Sequence, residues 1–141
     1  MKSNLSNAEV NNLRSELFDT VYETMNNGAL IHGIDYVEGH SIAGIWHSSN
    51  RVGDDFLKRR EAFLWILEHL LKQGRIKLHK NGLILESSIE DQIDAFRRAW
   101  PNSDKPYPNH PDADFYLWFF DPECPAGIAW RQEDGSFEIA D

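Results

Sequence analysis

The chain has 141 residues and a single cysteine, Cys124. One thiol cannot close an internal disulfide, which excludes a small secreted fold stapled by bridges. No apolar run approaches the roughly 20 residues that cross a bilayer as a helix, and the opening MKSNLSNAEV lacks the apolar stretch of a signal peptide. We therefore expect no membrane partner and a cytoplasmic location. Bases are scarce, with 14 Lys and Arg against 23 Asp and Glu, for a net charge of −9. A field of that sign repels phosphate backbones, so no nucleic-acid partner is expected. Motifs that cradle a phosphate or ligate zinc (G-x-G-x-x-G, the Walker loop, H-E-x-x-H, C-x-x-C) are missing, so neither cofactor nor metal is expected.

What is present is one domain's worth of ordinary globular sequence, 41% hydrophobic and 26% charged, which suffices for a core without staples. The acid is unevenly spread. Residues 1–53 carry a net −3, residues 54–100 a net +1, and residues 104–141 a net −7. A negative segment of this kind either keeps the surface solvated or draws in a basic partner.

Periodicity outlines the elements. Val10, Leu13, Leu17, Val21 and Met25 recur at spacings of three and four and predict a helix from Ser6 to Met25, opened by a Ser6–Glu9 capping box and stopped at Asn26-Asn27-Gly28. Residues 29–53 are broken by glycines and fit either strands or short helical turns. Asp54 to Gln73 predicts the strongest helix, capped by Gly74, with Lys58-Arg59-Arg60 on its solvated face beside acids one turn away. Arg75 to Glu86 reads as a hairpin turning at Asn81-Gly82. A helix opened by Ser87 or Ser88 follows and ends before Pro101, and residues 101–113 hold four of the six prolines and form a loop. Asp114 to Asp121, Ala126 to Arg131 and Ser136 to Ile139 read as strands, the last two joined at Asp134-Gly135. The sum is a single α+β domain: an N-terminal helix and irregular segment over 1–50, a helix-hairpin-helix over 54–100, and antiparallel strands over 114–141. About three main helices would pack on a mostly antiparallel sheet.

Chemistry is sparse. Cys124 sits beside Glu123, which disfavours a thiolate, and reads as a structural turn cysteine rather than a nucleophile. His110, Asp112 and Asp114 bring ligand types close together, but in a proline-rich loop where exposed acids are common. Asp121, Glu123, Glu133 and Asp134 bracket the C-terminal strands, either as solvated turn residues or as an acidic docking surface. Tyr116, Trp118, Phe119, Phe120 and Trp130 are mostly core. A minority exposed beside the acid would supply interface anchors.

Phe63-Leu64-Trp65-Ile66-Leu67 with Leu70-Leu71, Gly74 to Leu78, Ser88 to Ile93 with Phe96 and Trp100-Pro101, and above all Trp118-Phe119-Phe120 through Asp121-Pro122-Glu123-Cys124-Pro125-Ala126-Gly127-Ile128-Ala129-Trp130 to Glu133-Asp134-Gly135 resemble a bacterial family, domain of unknown function 596. The resemblance covers about half the chain. It implies an immunity protein of a contact-dependent growth inhibition system, not an enzyme, whose partner is a cognate toxin domain of basic, nuclease type. On that reading the partner-binding residues are Asp112, Asp114, Tyr116, Asp121, Glu123, Glu133 and Asp134, with no catalytic residue. The alternatives are a small hydrolase using C-terminal carboxylates or Cys124, and a housekeeping protein-interaction module.

Overall fold

The computed structural model describes residues 5–140. It is an α+β domain in which a four-stranded antiparallel sheet, a two-stranded ribbon and four α-helices surround one core. Helix α1 (Asn7–Arg14) starts as the sequence predicts, with Ser6 and Glu9 exchanging side-chain and backbone hydrogen bonds in a capping box.

It does not run to Met25. A single π-helical turn (Ser15–Asp19) follows, and the chain then turns back as a ribbon, β1 (Val21–Thr24) with β2 (Leu30–His32). Of the five apolar positions that predict a longer helix, Leu13 and Leu17 are buried but Val21 and Met25 face water. Local preference explains the switch. Val21-Tyr22-Glu23-Thr24 is β-branched and aromatic, and Asn26-Asn27-Gly28 serves as the tip of a hairpin, with Gly28 at φ +86°. Gly33 follows β2 where the chain passes so close to the first helical segment that a Cβ would run into the Glu16 carbonyl oxygen.

Residues 33–53, ambiguous in sequence, form a 3-10 turn, helix α2 (Ile42–Ser48) and a second 3-10 turn. Helix α3 (Phe56–Lys72) is the spine. Asp55 caps its first turn by accepting from the Lys58 amide, and Gly74 closes it at φ +70° while the Arg75 amide donates to the Leu70 carbonyl. The basic run at its start is not simply a solvated face. Lys58 pairs with Glu9 of α1, and Arg60 pairs with the buried Glu61. The Arg59 guanidinium lies 3.9 Å from the Trp46 ring centroid and donates to the Trp46 carbonyl.

Strands β3 (Ile76–Lys80) and β4 (Leu83–Ile84) form the expected hairpin, with Asn81 and Gly82 both at positive φ, as a tight primed turn requires. Helix α4 (Ile89–Ala99) is capped by Ser88 and ends before Pro101. The sheet order is β4-β3-β5-β6, with β5 (Gly127–Arg131) and β6 (Phe137–Ala140) joined at Asp134-Gly135. Ile76 pairs with Trp130 and Leu78 with Ile128, and these four buried side chains share the core with α3. Arg97 reaches from α4 to Glu61, 2.8 Å away, and so ties α4 to the spine.

Phe115–Phe120, which its unbroken aromatic and apolar run predicts as a strand, is a 3-10 helix. Phe115, Trp118 and Phe119 point inward and Tyr116, Leu117 and Phe120 outward, a helical division that a run apolar at every position conceals. The inward rings meet Trp46, Phe56, Phe63 and Trp100 in one aromatic cluster. Trp46 lies 5.0 Å from Phe115 and 5.6 Å from Trp100, centroid to centroid, and Phe63 lies 5.2 Å from Phe119.

Replacing Trp46 by alanine is expected to cost about 3–5 kcal/mol of stability, measured by urea unfolding, because the ring is buried among five others. His69 supplies a pH-linked test. It is stacked on Trp65 and packed against Phe18, and burial, helped by Arg14 and Lys72, holds its pKa below the ordinary 6.5. The unfolded chain therefore binds this proton more readily. The contribution is present above about 6.5 and fades as pH falls through the lower folded value. His69→Gln is expected to flatten the fall in stability between neutral and mildly acidic pH. An unchanged pH profile would refute this assignment.

Candidate interaction face

The 3-10 helix 115–120 and its flanks carry most of the sequence-predicted site. Asp114 caps the helix, its Oδ1 accepting from the Tyr116 amide at 3.0 Å. Behind it, Phe115, Trp118 and Phe119 anchor the turn in the aromatic cluster, so its outer face cannot roll inward. Tyr116, Leu117 and Phe120 are 40, 41 and 55% exposed, and Tyr116 and Phe120 pack edge to face. The result is an apolar surface with Asp112 before it and Asp121 and Glu123 after it.

Those carboxylates do different things. Asp121 is half-buried. Its Oδ2 accepts from the Tyr107 hydroxyl at 3.0 Å and its Oδ1 from the Glu123 amide at 2.9 Å, which pins the proline-rich loop to the end of the helix. Burial, with that hydrogen bond, pushes the Tyr107 pKa up to about 12, so its hydroxyl stays a donor throughout the physiological range. Lys80 completes the brace from the β3–β4 hairpin by donating to the Pro122 and Cys124 carbonyls. Asp112 and Glu123 are exposed and, among the described residues, bear no side-chain hydrogen bond or ion pair, which leaves their charge available to an approaching molecule.

Glu133 and Asp134 stand apart from this group. They sit at the β5–β6 turn, whereas Asp121 and Glu123 precede the other end of β5, about 14 Å away along a five-residue strand. Asp134 is engaged in its own turn. Its Oδ1 accepts from the Ser136 hydroxyl and amide, which hold its pKa below the usual carboxylate range. The seven predicted residues thus fall into two groups at opposite ends of β5. Leu117 belongs to the larger group and escapes a strand reading, because alternation would place it opposite Tyr116 and Phe120.

Cys124 is buried, its thiol donating to the Ala126 carbonyl, and burial pushes its pKa up to about 11. It is a protonated core thiol. Among the described residues no three His, Cys, Asp or Glu side chains gather in a metal-holding group, and His110 is part of a loop turn. No helix among the described residues is long and apolar enough to cross a membrane.

Tyr107→Phe is expected to lower stability by about 0.5–1.5 kcal/mol, with faster amide exchange at Glu123 as the local readout. Unchanged exchange there would show that the loop is held by other contacts.

Comparison with known proteins places this face inside a stretch that matches a family model. No curated protein matches the chain. An uncharacterized protein conserved in bacteria, from Neisseria meningitidis, is similar in structure, with a TM-score of 0.65 and 28% identity over 74% of this chain and 80% of that one. Residues 71–139, just under half of the chain, match the family described as "Protein of unknown function, DUF596", and the matched stretch contains both acidic groups and the 3-10 helix.

Proposed function

We propose that this chain is an immunity protein, which binds a basic bacterial toxin domain and masks its active site rather than carrying out a reaction. The observation that carries the reading is the outward face of the 3-10 helix: two exposed aromatic rings and a leucine, fixed from behind and bordered by carboxylates. Rigid aromatic anchors give up little conformational entropy on binding and dominate interface energetics. Unpaired carboxylates at the rim attract a cationic surface and speed its approach. Nuclease-type toxins carry cationic clefts because their substrates are polyanions, so such a face has a physical reason to fit one. The high pKa of Cys124 argues against a nucleophilic alternative, since a neutral thiol is a poor nucleophile.

The test is co-expression with the C-terminal domain of the protein encoded immediately upstream, scoring growth rescue and co-purification. Loss of both would overturn the reading. Within a complex, Tyr116→Ala with Phe120→Ala is expected to weaken binding by about 10- to 100-fold, mainly through faster dissociation. Asp112→Lys with Glu123→Lys is expected to slow association by about tenfold at low salt and to flatten its salt dependence. These two acids are the ones to reverse, because Asp114 and Asp121 also hold the local fold.

A further inference from the structure

The β1–β2 ribbon keeps large apolar side chains in water. Val21, Tyr22, Met25 and Leu30, with Tyr36 of the 3-10 turn that follows, are all more than two-fifths exposed. A two-stranded ribbon is marginal on its own, and this one is braced from one side. The Asp35 carboxylate accepts from the His32 amide at 2.7 Å and from Arg75 at 2.9 Å. The register slips at Tyr22. Val21 faces His32 while Glu23 faces Ile31, which makes Tyr22 the extra residue of a β-bulge, a device that re-aims a side chain. Its ring stands edge-on to Tyr36, with centroids 6.5 Å apart at 62°. The Tyr36 hydroxyl in turn donates to Glu23 Oε2 at 2.7 Å.

Beside this pair opens a cavity of about 510 Å³, walled by Tyr36, Glu23, Asp35, Met25 and Ile31, and no Lys or Arg lines it. Arg75 already neutralises Asp35, whereas Glu23 makes no ion pair among the described residues. An aromatic face, a carboxylate without a counter-ion and an apolar wall are the three things that recognise an arginine. The planar guanidinium stacks on the ring and bonds the carboxylate, and the methylene stem lies on the apolar wall.

We propose that this cavity is a subsite for an arginine side chain presented by the protein partner, with the guanidinium over the Tyr36 ring and against Glu23, and the stem along Met25 and Ile31. The proposal rests on the reading that the partner is a basic protein. It adds a second contact outside residues 71–139, where this chain can discriminate among partners independently of the stretch that matches the family model.

The experiment is an amide NMR titration of the full chain with N-acetyl-arginine amide, with N-acetyl-citrulline amide as the neutral isostere. Saturable shifts confined to residues 21–36 are expected with the arginine compound and not with citrulline. Glu23→Gln, which keeps the side chain's shape, is expected to weaken that binding about threefold or more while leaving the remaining amide signals in place. Shifts spread over the acidic surface at large, or unaltered binding to Glu23→Gln, would overturn the subsite. The titration needs no partner, so failure of the upstream protein to bind would remove the immunity reading and leave the arginine subsite to be judged on its own result.

Discussion

Packing of Trp46 and Trp100 against Phe56, Phe63, Phe115, Trp118 and Phe119 is the constraint on which the rest of the molecule depends. The rings come from four separate stretches: α2, α3, the end of α4 and the 3-10 helix near the C-terminus. Each tilted or edge-on pair adds about 0.5–1.5 kcal/mol beyond the area it buries. More important is what the cluster fixes. A six-residue 3-10 helix has almost no stability of its own. With Phe115, Trp118 and Phe119 locked in the core, it has one orientation available, and Tyr116, Leu117 and Phe120 must face outward. The exposed face is thus a geometric consequence of the buried one. Arg59 supports the cluster from the rim, where its guanidinium covers Trp46 and also satisfies the Trp46 carbonyl.

Around that core, polar groups serve as ties between segments distant in sequence. Glu61 would be costly to bury alone, and its two arginine partners make it a bridge between α3 and α4. Asp35 joins the ribbon to Arg75 at the start of β3, and the Trp130 indole joins the sheet to the His40 carbonyl. Much of the acid in this sequence is therefore structural, which net charge alone does not reveal.

Most of the scaffold is legible in the sequence. The elements over 54–100 and the β5–β6 turn follow from helical spacing, caps and Asn-Gly or Asp-Gly tips, because local chemistry and tertiary burial agree there. Two places misled. FYLWFF is apolar at every position, so no period can be read from it, and the choice between strand and helix was made by the aromatic cluster, which is tertiary. In the N-terminal stretch, Val21 and Met25 happen to continue a helical spacing. The competing signal was a β-branched segment, an Asn-Asn-Gly tip and a short apolar return, and it outweighed that spacing. Missing the ribbon also concealed the approach of Tyr36 to Tyr22 and Glu23. The acidic candidates are legible as residues, whereas their division into two groups at opposite ends of β5 is set by the fold.

The distribution of free and committed carboxylates bears on how such a face would work. Asp114 caps, Asp121 anchors a loop and Asp134 closes a turn, whereas among the described residues Asp112, Glu123 and Glu133 bear no side-chain hydrogen bond or ion pair. Exposed charges of this kind are screened within about 8 Å at physiological salt, so they contribute little to the lifetime of a complex. Their effect lies in the approach. Lifetime must come from surface that excludes water, and the 3-10 helix offers it in Tyr116, Leu117 and Phe120. A partner selected by charge alone would be any basic protein. A partner retained by shape must accommodate three apolar side chains whose positions are dictated by the core behind them. The division between steering acid and fixed apolar anchors, rather than the total of −9, is what makes selective recognition physically reasonable here.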